Sequence, residues 1–116
     1  MKVRIKVGEK EVTATLNDSE AARDFASLLP LTLTLEDHAE TEKISNLPKR
    51  LSTKGDPAGS NPDVGDIAYY APWGNLAIYY KDFGYSSGLV ILGKMDGDME
   101  AFNKPGSLKV TIELVK

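Results

Sequence analysis

Six side chains carry the chemistry a binding site would use: Arg50, Tyr70, Trp73, Tyr79, Phe83 and Tyr85. Arg50 lies in "LPKRLS", beside apolar residues at the entry to a long polar loop. Its guanidinium offers a planar fork of donors suited to a carbonyl or carboxylate. Arg4 and Arg23, by contrast, fall on the charged sides of a strand and a helix. The aromatic residues concentrate in "IAYYAPWGNLAIYYKDF", which holds the single tryptophan and four of the five tyrosines. With side chains alternating along a strand, Tyr69 shares a face with Ile67, and Tyr80 with Leu76 and Ile78. Tyr70 and Tyr79 then point to the opposite faces, where an apolar ring can line an opening and turn its hydroxyl to solvent. Trp73 follows Pro72 in a turn, so it either covers an end of the fold or forms a pocket wall. Phe83 and Tyr85, in the loop "KDFGYSSG", are placed for ligand contact. The plain alternative for each is packing: a surface arginine, or a tyrosine that fills the core.

Other chemistries lack their parts. The acidic run "EDHAETE" contains His38 and four carboxylates, but side chains alternate along an extended chain and do not converge on a metal. "DGDME" lacks the remaining ligands and the glycine of a calcium loop, and "GDPAGS" lacks the Gly-Lys-Ser/Thr end of a phosphate loop. No Ser/His/Asp arrangement is present. With no cysteine there is neither a thiol nucleophile nor a zinc thiolate site. No metal and no cofactor is expected.

Composition narrows the partners. Fourteen basic and seventeen acidic residues leave a formal charge of -3. No Lys/Arg cluster provides the footprint of a nucleic-acid binder. Charges interrupt every apolar pair of "MKVRIKVGEKEV", so no signal-peptide core forms. No apolar run reaches the length of a membrane span. The expectation is a soluble, cytoplasmic, single-domain protein over residues 1–116.

The elements that must position the six side chains are mostly strands. "KVRIKV" and "EVTATL" alternate apolar and polar residues around "GEK" and read as a hairpin. Asn17 and Glu20 have capping-box spacing, and Ala21, Ala22, Phe25, Leu28 and Leu29 share a helical face, so a helix is predicted over 18–29, ended by Pro30. "LTLTLE" returns to strand, and "EKIS" is a short strand. "STKGDPAGSNPDVGD" reads as one long loop, of a length often tied to function. "DIAYYA" and "NLAIYY" are strands around the turn "PWG". "GLVILGK" is a strand buried on both faces, "DGDMEAFNKPGS" holds a turn of helix, and "LKVTIELV" is a last strand with Leu108, Val110, Ile112 and Leu114 inward. About eight strands suit a closed barrel filled by side chains. The matching first and last strands can pair to close it, with the helix across one opening and Phe25 and Leu28 facing in.

The stretch "AGSNPDVGDIAYYAPWGNLAIYYKDF", continued by "GYSSGLVILGKM", closely resembles the bacterial and archaeal cyclophilin-like family of small stand-alone proteins. The similarity extends upstream through "ATLNDSEAARDFASLLPLTLTLED" and "TEKISNLPKRLST". It implies a closed, eight-stranded cyclophilin-like β-barrel with one or two capping helices. True cyclophilins isomerise X-Pro bonds, with an arginine that donates to the prolyl nitrogen and a glutamine, a histidine and aromatic residues that hold the peptide. Their Phe-His-Arg and Gln-Gly-Gly-Asp segments are missing here; the chain has no glutamine, and its one histidine is His38. Three functional expectations follow. The first is binding of a small molecule or short peptide in an aromatic-lined pocket, with Arg50, Trp73, Phe83 and Tyr85 as contacts and Tyr70 and Tyr79 behind them. The second is weak peptidyl-prolyl isomerisation with Arg50 as the catalytic residue. The third is a non-catalytic protein-interaction module.

Overall fold

Alternation of apolar and polar residues commits most of the chain to strands that bury one side. A computed structural model describes residues 1–39, 41–97, 99–104 and 106–115. In chain order its elements are β1 (Lys2–Val7), β2 (Lys10–Leu16), α1 (Glu20–Ala26), β3 (Leu31–His38), β4 (Glu42–Asn46), β5 (Gly59–Ser60), β6 (Asp66–Tyr70), β7 (Asn75–Tyr79), β8 (Ser86–Ser87), β9 (Leu89–Met95) and β10 (Leu108–Leu114). Eight of these strands form a closed antiparallel barrel in the order β1-β10-β3-β4-β7-β6-β9-β2. The terminal strands pair as expected, with Ile5 opposite Ile112 and Val7 opposite Val110. Closure leaves the barrel without an exposed sheet edge. Leu114, expected inward, stands opposite Val3 at the end of the pairing and is 37% exposed, because the barrel wall stops there.

The interior is filled by the alternate residues Val3, Ile5, Ala14, Leu35, Ile67, Tyr69, Leu76, Ile78, Leu92, Val110 and Ile112, all buried. The seam between β2 and β9 runs through Leu16 opposite Gly93. A Cβ on Gly93 would lie 2.8 Å from Leu16 Cα and closer still to the Thr15 carbonyl oxygen, so only glycine lets the two backbones meet.

Each opening has its own plug. At the end where β2 stops and β3 starts, α1 adds Ala21, Ala22, Phe25 and Ala26 to the interior cluster, and Leu28 packs against it. The helix is shorter than the predicted 18–29. Ser19, not Asn17, is its N-cap: the Ser19 hydroxyl accepts from the Ala22 amide at 3.1 Å, while Asn17 Oδ1 accepts from the Ser19 amide just outside the helix. Leu51 joins the same end, its amide donating to the buried Tyr69 hydroxyl at 3.1 Å. At the far end, Ala101 and Phe102 close the interior from a tight turn in which the Phe102 amide donates to the Met99 carbonyl.

Lys43 sits beneath that second plug with no exposed side-chain surface. It stands opposite Ile78 and therefore on the interior side of its strand. Its Nζ pairs with Asp37 at 2.9 Å and donates to the carbonyls of Lys104 and Gly106. Asp37 also accepts from the Tyr80 hydroxyl at 2.9 Å and from the Gly106 amide at 3.2 Å. These bonds hold its carboxyl below the usual range, the Lys43 contact contributing most. A buried ammonium with this many acceptors is a tie between the barrel wall and the 96–107 connection.

The long segment after Arg50 is not all loop: β5 lies within it and pairs with β8, forming a two-stranded flap. β5 packs against β9 on the barrel's outer side, where Ala68, Ala77, Tyr79 and Leu89 form a second buried cluster. Lys94 near the end of β9 is exposed, so this strand is not buried on both faces throughout. Among the described residues, no helix is long and apolar enough to cross a membrane.

Candidate functional site

Strand register places three side chains in one row on the outer face. His38 stands opposite Glu42, and Glu42 opposite Tyr79. One strand further along, Tyr70 stands opposite Asn75, on the same side. The β6–β7 turn adds Trp73, and the approach to β8 adds Phe83 and Ser86. Together they line a recess of about 180 Å³ between the barrel wall and the flap.

The walls are aromatic and set at right angles. The Trp73 and Tyr70 ring centroids are 5.3 Å apart with an interplanar angle of 85°. His38 meets Trp73 on another side at 5.5 Å and 89°. Edge-to-face pairs of this kind add specific stabilisation beyond area burial, so Trp73 keeps a defined orientation although 58% exposed. Phe83, 48% exposed, stands on the rim.

The polar groups of the recess are mainly acceptors. Glu42 is buried, and the loss of solvent pushes its carboxyl above the ordinary range, while its hydrogen bond from Tyr79 and the proximity of His38 pull it down. Tyr79 is buried as well; desolvation first, and then the Glu42 charge, raise its phenol far above normal, so it stays a donor. Asn75 is 3% exposed, and its Oδ1 has no hydrogen-bond partner among the described residues. Leaving a buried amide oxygen unpaired costs about 1–3 kcal/mol.

Of the six residues singled out from the sequence, Tyr70, Trp73, Tyr79 and Phe83 converge here. Arg50 and Tyr85 are not among the lining residues. Arg50 instead donates to the Ala71 carbonyl at 2.8 Å and lies over Gly74, where an added Cβ would be 3.6 Å from its Cζ. It braces the turn that presents Trp73. The Tyr85 ring lies over Gly59 of the flap, leaving no room there for a side chain. The sequence reading missed His38, Glu42, Asn75 and Ser86. In the sequence His38 and Glu42 read only as members of an acidic run, because nothing local reveals that β4 pairs with β7. Of the two acidic runs, "EDHAETE" and "DGDME", Glu40 and Asp98 lie outside the described residues. Among the described residues, no three His, Asp or Glu side chains gather in a group that could hold a metal ion.

Comparison with known proteins agrees with the architecture. Residues 5–113 match the sequence model of the cyclophilin-like family. The solution structure of a hypothetical protein from Archaeoglobus fulgidus superimposes with a TM-score of 0.73 at 18% sequence identity, covering 99% of this chain and 95% of that one. At that identity the likeness is one of fold. No curated protein matches the chain.

Proposed function

The chain belongs to the cyclophilin-like family, and on that premise we propose that it binds a small molecule or short peptide in the recess on the outer face of its barrel. The observation that carries this reading is the recess itself, walled by Tyr70, Trp73, Tyr79 and Phe83 around the polar side chains of Glu42 and Asn75. Ligand sites commonly join apolar walls to a few fixed polar groups. Four separate parts of the chain supply the recess: the β3–β4 hairpin, β6 with its turn, β7 and the flap. Catalysis is not part of the proposal. The guanidinium of Arg50 is turned to the Ala71 carbonyl, and among the described residues the lining contains no arginine to donate to a prolyl nitrogen.

The only tryptophan of the chain stands in the recess, so its emission reports occupancy directly. A screen of neutral, acidic and basic fragments together with a short Ala-Pro peptide should give saturable changes in Trp73 fluorescence. The amide shifts of the same ligands should map to residues 38–42, 70–79 and 83–86. Ligands that bind only elsewhere, or no ligand at all, would overturn the proposal. A protein-docking face is the second reading, favoured by the exposure of Trp73, Phe83 and Tyr85. It would be recognised by binding that depends on Tyr85, which lies outside the recess.

A further inference from the structure

The recess has a chemical bias. Its lining contains no lysine or arginine among the described residues, and Glu42 is its one carboxylate. The rings of Tyr70 and His38 stand at 85° and 89° to Trp73, so ring faces and edges form a corner rather than a slot. Aromatic faces carry negative quadrupolar potential and attract cations, most strongly when both are desolvated. Every one of these features favours a positively charged group that has N–H donors and an alkyl surface. None suits an anion, which would meet the Glu42 carboxylate.

We propose that the recess selects a small alkylammonium group, its N–H donors directed to Glu42 and its alkyl carbons packed into the Tyr70–Trp73–Phe83 corner. This inference rests on the recess being a binding site and adds the class of ligand. Such a group could come from a free amine or from an amine borne on a peptide; the chemistry recognised is the same. Glu42 gains most from it, since a carboxylate at a buried site is costly to keep charged.

The test compares two probes of equal size and shape, tert-butylammonium and tert-butanol, at constant ionic strength and at about pH 8, where a free imidazole is uncharged. Trp73 emission and amide shifts are the readouts. The ammonium should bind saturably and at least about tenfold more tightly than the alcohol, the gain expected of a cation on desolvated rings and a carboxylate. Glu42→Gln should remove most of that preference, and Trp73→Ala should abolish binding of the ammonium. Equal affinity for the two probes would overturn the cation proposal and leave the recess as a neutral binding site. Absence of binding by both would overturn it too. The broader reading would then fall only if the fragment and peptide screen also failed. The wild-type comparison decides the matter even if Glu42→Gln does not fold.

Discussion

Lys43 Nζ lies 2.9 Å from Asp37 Oδ1, and the lysine side chain has no exposed surface although its strand is a barrel wall. The pair stands in register across β3 and β4, and the same ammonium reaches the carbonyls of Lys104 and Gly106. The second plug of the barrel is thus held largely by one charge. Lys43→Met keeps the aliphatic bulk but leaves those two acceptors without their donor. It should destabilise the protein by about 2–4 kcal/mol in urea unfolding. Amide exchange at Phe102 and Asn103 should accelerate well before exchange in α1. A variant as stable as wild type, with those amides still protected, would show that packing of Phe102 alone holds the plug.

Gly93 marks the place where the barrel closes. Gly93→Ala puts a methyl against Thr15 and Leu16 of β2, and overpacking of this kind costs about 1–3 kcal/mol. The loss should appear as a lower Tm and as faster exchange of the Asn17 amide, which donates to the Leu92 carbonyl. Unchanged stability would mean that the seam can spread without penalty.

Arg50 and Trp73 separate binding from isomerisation. Trp73→Ala should change stability little, as expected for an exposed side chain, and yet remove fragment binding. Arg50→Ala loses the bond to Ala71 and loosens the turn, so it should weaken binding several-fold without abolishing it. Isomerase activity on an Ala-Pro peptide should be at background in the wild type and in Arg50→Ala alike. Robust turnover that disappears in Arg50→Ala would restore the isomerase reading.

The carboxylates should titrate far apart. Asp96 accepts from Lys2, Thr15 and Thr13, and these bonds hold its pKa down to about 2, the Lys2 contact leading. A depressed carboxylate stabilises the fold above its unfolded value and loses that contribution as pH falls toward the folded one. Asp96→Asn should therefore cost stability at neutral pH, and the difference from wild type should shrink below about pH 4. Glu42 has the opposite sign. Its raised pKa means that protonation favours the fold, so its contribution falls as pH rises through the ordinary glutamate range and up to its folded value. Carboxyl carbon shifts followed by NMR should show Glu42 protonating before Asp96 on acidification. The reverse order would contradict the burial of Glu42.

The strands and their faces were legible in the sequence because a half-buried strand writes its environment with a period of two. Val3, Ile5 and Val7, Leu33 and Leu35, and Ile67 and Tyr69 all announce an inner face, and the same count placed Tyr70 and Tyr79 on the outer one. Two matching terminal strands were enough to anticipate closure. The site was only half legible. Alternation tells a residue which side it faces, but not which residues stand beside it. The row His38–Glu42–Tyr79 exists because β4 pairs with β7 in one register, across the whole segment that contains the flap. That pairing is decided by the joint packing of all eight strands and by closure of the barrel, not by any local preference. Arg50 illustrates the same limit. Its neighbours in the chain made it look like a ligand anchor, and only the tertiary fold, by bringing the Ala71 carbonyl within 2.8 Å, turned its guanidinium to bracing a turn. Local sequence sets the backbone habit and the buried side of each element; long-range register, an energy shared by the whole barrel, decides which side chains meet.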